Sequence, residues 1–236
     1  MLVGSLGVVA APAKARFCAG SAAGVDAPAA ALRSPGEAEL AALVEATPRC
    51  SPARRCVGIH VFVAADAAGM VVDAAWLAGQ VTEAQLRFAP IEVSFEVRAA
   101  SALRPEEGAV VSRRDRDRLG AGRYDEALIQ VFVAGSLANV DEPGEIRGVH
   151  WRDREDRSRR WIILSKIAGR LVLTHELGHY FGLPHSSLPA SVMNKTEGIE
   201  RPLDERVFHA RELKKMRGRL KASLGGLRLR SVTAEG

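Results

Sequence analysis

Hydrophobic positions along the chain change period several times, and those changes predict the elements. VGIHVFVAA from Val57 is dense in β-branched residues and reads as a central strand. Met70–Ala89 places Val72, Trp76, Leu77, Val81 and Leu86 at roughly helical spacing, which predicts an amphipathic helix. Pro90 stops that helix, and IEVSFEVRA alternates as a half-buried strand. ALIQVFVAGSL, Ala127–Leu137, is a third strand, and RWIILSK, Arg160–Lys166, a short fourth. Helical spacing returns over Ala168–Phe181 and again over Asp204–Leu224, where Val207, Phe208, Leu213, Met216 and Leu220 fall mostly on one side. The order strand, helix, strand, strand, strand, helix describes an α/β layer of about 125 residues, followed by a small segment closed by one helix.

Upstream of Val57 the pattern thins. Residues 1 to about 35 are rich in Ala, Gly, Pro and Ser without periodicity and read as leader and linker. Ser34 with Glu37 forms a capping-box pattern at the start of a short helix over Ser34–Ala46, and TPRCSPARRC then breaks it. The predicted division is therefore 1–56 as leader, signal peptide, pro-segment or linker, 57–224 as the folded domain, and 225–236 as a tail.

Composition changes this picture little. With 236 residues, 47% hydrophobic and 26% charged, the chain can bury a core without staples. A net charge of +5 and pI near 9.4 raise the question of an acidic partner. The basic residues alternate with acids, however, in SRRDRDR (Ser112–Arg118) and RDREDRSRR (Arg152–Arg160), as solvated loops do. No aromatic interleaving favours single-strand stacking, so a nucleic-acid partner is not expected. No run of about twenty apolar residues is present, so no transmembrane segment is expected. The apolar first residues, MLVGSLGVVAAPAKA, have signal-peptide length but no positively charged start; they point to a secreted or periplasmic protein and leave a cytoplasmic one open. The preponderance of Arg over Lys, with much Ala, Gly and Val, fits a GC-rich bacterial coding sequence. Of the three cysteines, Cys50 and Cys56 are spaced for a small loop disulfide, and Cys18 is left over.

The chemistry concentrates in THELGHYFGLPHSSLPASVMN, Thr174–Asn194. His175 and His179 are four apart on a helix, so both imidazoles lie on one face and can grip one metal. Glu176, next to the first ligand, is placed to take a proton from a water on that metal. Gly182 follows where the helix should end and can reverse the chain through positive φ; Pro184 keeps the helix from resuming, and His185 can return as a third ligand. Three neutral histidines leave a fourth tetrahedral position for water, the arrangement of catalytic and not structural zinc, and zinc lowers the pKa of such a water toward roughly 7. His60 reads as a core or sheet-face residue, His150 as a residue of the loop before RWIILSK, on the surface or else lining the cleft, and His209 as a surface residue.

HELGHYFGLPH resembles the metzincin zinc-peptidase signature HExxHxxGxxH, and Met193 falls where the matrixin-like branch has its Met-turn methionine. The approach WIILSKIAGRLVLTHELGH is also similar to pappalysin-type bacterial relatives. The resemblance covers about residues 57–224 and is densest over 160–195. It implies a metzincin-like α/β (α+β) catalytic domain: a twisted, mostly parallel sheet with two helices in an upper subdomain (57–182), above a small lower subdomain (183–224) with one helix. It implies one catalytic Zn2+ between them, and a peptide or protein substrate cut by a zinc-bound water that Glu176 activates. Met193 would floor the metal. Substrate would add to a sheet-edge strand, assigned to Trp161, Ile162, Ile163, Leu164 and Ser165. Lys195 stands where matrixins carry a proline, so the pocket wall differs from theirs. PRC at Pro48–Cys50 is similar to the start of the matrixin cysteine switch, which leaves Cys50 as a latency thiol on the metal, a disulfide partner of Cys56 or a free thiol. The alternative in another class is a metzincin-fold binding protein without activity.

Overall fold

Arg55–Val63 (β1) buries Val57, Ile59, Val61 and Val63. A run that is apolar toward both faces is what an interior strand of a parallel sheet requires. The computed structural model describes residues 36–195 and 201–223, and in it β1 lies between Val93–Ala102 (β2) and Ile129–Ala134 (β3), parallel to both. Arg160–Ser165 (β5) pairs parallel with β3, and Gly148–Arg152 (β4) pairs antiparallel with β5. The sheet order is β2-β1-β3-β5-β4. It is the mostly parallel sheet of a mixed α/β fold.

Five α-helices among the described residues accompany it. Glu37–Glu45 (α1) starts at Gly36, whose N–H donates to Glu39 Oε2 at 2.8 Å; Ser34, the cap expected from sequence, lies outside the described residues, as do 1–33 and the 225–236 tail. Leu43 of α1 is fully buried in the main core. The folded unit therefore begins upstream of residue 57, because α1 covers apolar surface that β2 and the next helix would otherwise expose. That helix, Ala74–Phe88 (α2), starts later than the periodicity indicated: Gly69–Met70 pairs with Ala65–Asp66 in a small hairpin, and Asp73 caps the helix by accepting from Trp76 N–H at 2.7 Å. Pro90 sits in a 3-10 turn, and Glu92 leaves it in the left-handed region at φ 59°.

Arg113–Gly120 (α3) overturns the reading of SRRDRDR as a solvated loop. Ser112 Oγ accepts from Asp115 N–H at 3.2 Å, and Asp115 Oδ2 accepts from Ser112 N–H at 2.9 Å. Arg116 turns inward and is buried, donating to Ala138 O at 2.8 Å with its guanidinium 5.0 Å from the Trp151 ring. The second mixed run stays a loop between β4 and β5. Val172–Tyr180 (α4) and Ala210–Ser223 (α5) complete the set; Leu203–Glu205 is a separate 3-10 turn, and Val207 is exposed ahead of α5.

The sheet separates two clusters. One face carries Phe62, Phe132, Trp161 and Ile163 with Leu119 of α3. The other face packs α1, α2, α4 and α5, where Phe88 meets Phe95, Phe181 and Phe208 at centroid distances of 5.0, 5.7 and 5.0 Å. That aromatic junction fixes α4 against both the sheet and the chain that follows it. No described helix is long and apolar enough to cross a membrane.

Candidate metal centre

Helix α4 begins at Leu171, which has no side-chain cap. Gln80 of α2 supplies it: Oε1 accepts from Leu173 N–H at 3.0 Å, while Nε2 donates to Gly169 O at 2.9 Å. At the other end Arg160 Nη1 donates to Tyr180 O at 3.0 Å, placing a cation at the negative helix terminus, and its guanidinium stacks 4.2 Å from the Tyr180 ring. Gly182 then takes φ 88°, with Gly182 N–H on His179 O and Leu183 N–H on Gly178 O, both at 2.9 Å. This left-handed turn sends the chain back toward α4.

The reversal brings three imidazoles together. His175 Nε2 lies 3.1 Å from His179 Nε2, which lies 3.2 Å from His185 Nε2. His175 Nδ1 is 2.8 Å from Val192 O, and His179 Nδ1 is 2.7 Å from Leu183 O. A carbonyl oxygen only accepts, so each Nδ1 carries the proton and each Nε2 keeps its lone pair. Burial lowers the pKa of all three rings, to about 4 for His175, so they are neutral. Lone pairs facing one another at this distance repel unless a cation lies between them. Three nitrogens around a tetrahedral ion with bonds of about 2.0–2.1 Å would stand about 3.3 Å apart. The donor set fits one such ion.

Glu176 projects from α4 toward β4 and is buried. Burial pushes its pKa up to about 8, against the opposing effect of the His150 N–H, which hydrogen-bonds the carboxylate. Gly148 permits this approach: a Cβ there would stand 2.6 Å from Val172 Cγ1 and 3.2 Å from Glu176 Cγ. Met193 is fully buried beneath α4, where a Cβ on Gly178 would come within 2.4 Å of its sulfur. Ser191 Oγ accepts from Met193 N–H at 3.0 Å and donates to Glu212 Oε1 at 2.8 Å, while Glu212 Oε2 accepts from His209 N–H at 2.8 Å. The methionine turn is thus tied to the start of α5. A cleft of about 810 Å3 opens beside His175 and Glu176, between Gly148 and Val172 on one side and Val192 and Lys195 on the other.

Two site expectations are overturned. Strand β5 is not an edge: Trp161, Ile162, Ile163, Leu164 and Ser165 are fully buried between β3 and β4, so among the described residues the sheet edge beside the histidines belongs to β4. Cys50 is bonded to Cys56, so it offers no thiol to the metal. His150, expected in a surface loop, lies in β4 with Nε2 buried and without a hydrogen-bond partner and its ring 5.7 Å from that of Tyr180. His209 likewise buries Nε2, while His60 stacks on Phe62 at 4.1 Å and bonds Ser101 Oγ at 2.9 Å.

A matrixin family model matches residues 114–206. That segment is matrixin-like. The match runs from α3 through β3, β4, β5, α4 and Met193 to Arg206, and leaves α1, β1, α2, β2 and α5 outside it. Among solved structures, metalloproteinase-II from Bacteroides fragilis is similar at TM-score 0.50 and 12% identity, over 73% of this chain and 55% of that one. Archaemetzincin from Methanopyrus kandleri is similar at TM-score 0.48 and 16% identity, over 74% of this chain and 98% of that one. No curated protein matches by sequence.

Gly148, Gln80, Arg160 and Glu212 complete the site and escape a motif reading, because their partners lie far away in sequence. Gly148 left one local signal, a glycine inside an otherwise strand-like IRGVHW.

Proposed function

We propose that the protein is a zinc-dependent endopeptidase in which Glu176 moves the protons. The observation that carries this reading is the convergence of three Nε2 atoms beside a buried carboxyl on the wall of an open cleft. His175, His179 and His185 would hold the ion, with the Nδ1 bonds to Val192 O and Leu183 O orienting the first two rings. Zinc bound there would act as a Lewis acid on the substrate carbonyl and raise the acidity of water. Glu176 takes a proton from the water that adds to the peptide carbon, then delivers it to the amide nitrogen as the C–N bond breaks. Met193 and Gly178 let the floor of the site pack without a gap, and the free edge of β4 offers backbone groups to an extended peptide.

The Cys50–Cys56 disulfide supports an oxidising setting for the folded protein, secreted or periplasmic. Metal analysis tests the ligand assignment. One zinc per chain is expected in the intact protein, and His185→Ala should release it to a weak chelator. Zinc retained in that variant at the affinity of the intact protein would place the third ligand elsewhere.

A further inference from the structure

The cleft beside His175 and Glu176 carries four basic side chains, Arg147, Arg170, Lys195 and Arg206, against the carboxylates of Glu145 and Glu176. Their partners separate them. Arg170 Nη2 is paired with Glu83 Oε1 at 2.9 Å. Arg206 Nε donates to the backbone carbonyl of Arg201 at 3.1 Å and has no ion pair among the described residues. Arg147 and Lys195 are exposed, and neither has an ion pair among the described residues. Arg147 immediately precedes β4, and Lys195 lies just beyond Met193, so the two cations come from separate segments of the wall. With Glu176 assigned to proton transfer, three cations without an ion pair face one other carboxylate among the described residues of the cleft, Glu145.

We infer that this cleft selects acidic peptides, with Asp or Glu flanking the bond that is cut. The inference rests on the peptidase reading and adds its substrate class. A basic side chain there would meet like charges at close range. A neutral one would leave the cations solvated and contribute nothing through them. An exposed ion pair changes an equilibrium by about two- to fivefold, and several cations converging on one carboxylate multiply that to about tenfold. Exposed pairs are screened, so the preference falls with ionic strength.

The test uses the zinc-loaded full chain and two matched peptide pools that differ only in Asp and Glu against Asn and Gln around the centre. The acidic pool should be cut with kcat/KM about tenfold higher at low salt. Lys195→Glu and Arg147→Glu should each shrink that ratio severalfold, as should 1 M NaCl, while Arg114→Glu on α3 leaves it in place. Equal cleavage of both pools, a ratio that survives both reversals, or an equal loss in Arg114→Glu would overturn the inference. Fluorescence anisotropy of the same labelled peptides on zinc-loaded Glu176→Ala gives a readout independent of turnover. If neither pool is cut by the intact protein, the peptidase reading fails, and tighter binding of the acidic pool still supports the charge selection while equal binding overturns it.

Discussion

Gly148→Ala tests how the sheet edge positions Glu176. The added Cβ would lie 2.6 Å from Val172 Cγ1, 3.1 Å from Leu164 Cδ2 and 3.2 Å from Glu176 Cγ, all inside ordinary contact distance. Val172 is β-branched and stiff, and Leu164 is fully buried, so neither moves freely. Overpacking of this kind costs about 1–3 kcal/mol, while replacing glycine within a strand returns about 0.5–1 kcal/mol. The net expectation is a loss of about 1–2 kcal/mol, or about 2–8 °C in Tm for a domain of this size. Any relief that pushes Glu176 aside should also lower kcat by about tenfold with KM little changed, because proton transfer is sensitive to small displacements. Thermal unfolding and peptide kinetics measure the two effects. Val172→Ala removes the nearest clashing atom, so the double variant should be more stable than the sum of the single changes implies. A Gly148→Ala protein as stable and active as the parent would refute the packing argument.

Two further predictions address charge and redox. Burial pushes Glu107 up, but hydrogen bonds from Arg104 and Arg123 override it and hold the pKa at about 2 instead of 4.5. A depressed folded-state pKa stabilises above 4.5 and loses that contribution as pH falls toward 2, so Glu107→Gln should cost up to about 3 kcal/mol at neutral pH and little near pH 2, read by urea unfolding across pH. Cys50→Ser should lower stability by about 2 kcal/mol, the scale for a short closed loop, and leave peptide cleavage unchanged; a rise in activity would restore Cys50 as a latency thiol.

The histidine triad was legible because its spacing lies within one helix and one turn: Gly182 alone decides that His185 folds back, and it sits inside the motif. The strands β1, β3 and β5 were legible for a related reason, since burial on both faces writes a continuous apolar run. Strand β4 was not. Its sequence GVHWR is short, mixed and only half-buried, and missing it made β5 look like the sheet edge. Helix α3 was hidden by its charges, although Ser112 and Asp115 carry a capping pattern that could have been read. Gln80 and Glu212 act across the fold, on Leu173 and Ser191, and no local pattern announces such a bond.

The central claim is that three histidines hold one zinc ion while Glu176 moves the protons. Peptide-library cleavage by Glu176→Ala, with zinc content measured on the same sample, tests it most directly. One zinc per chain and a rate lowered by at least about a hundredfold are expected. Cleavage at the parent rate by the zinc-loaded variant would contradict it.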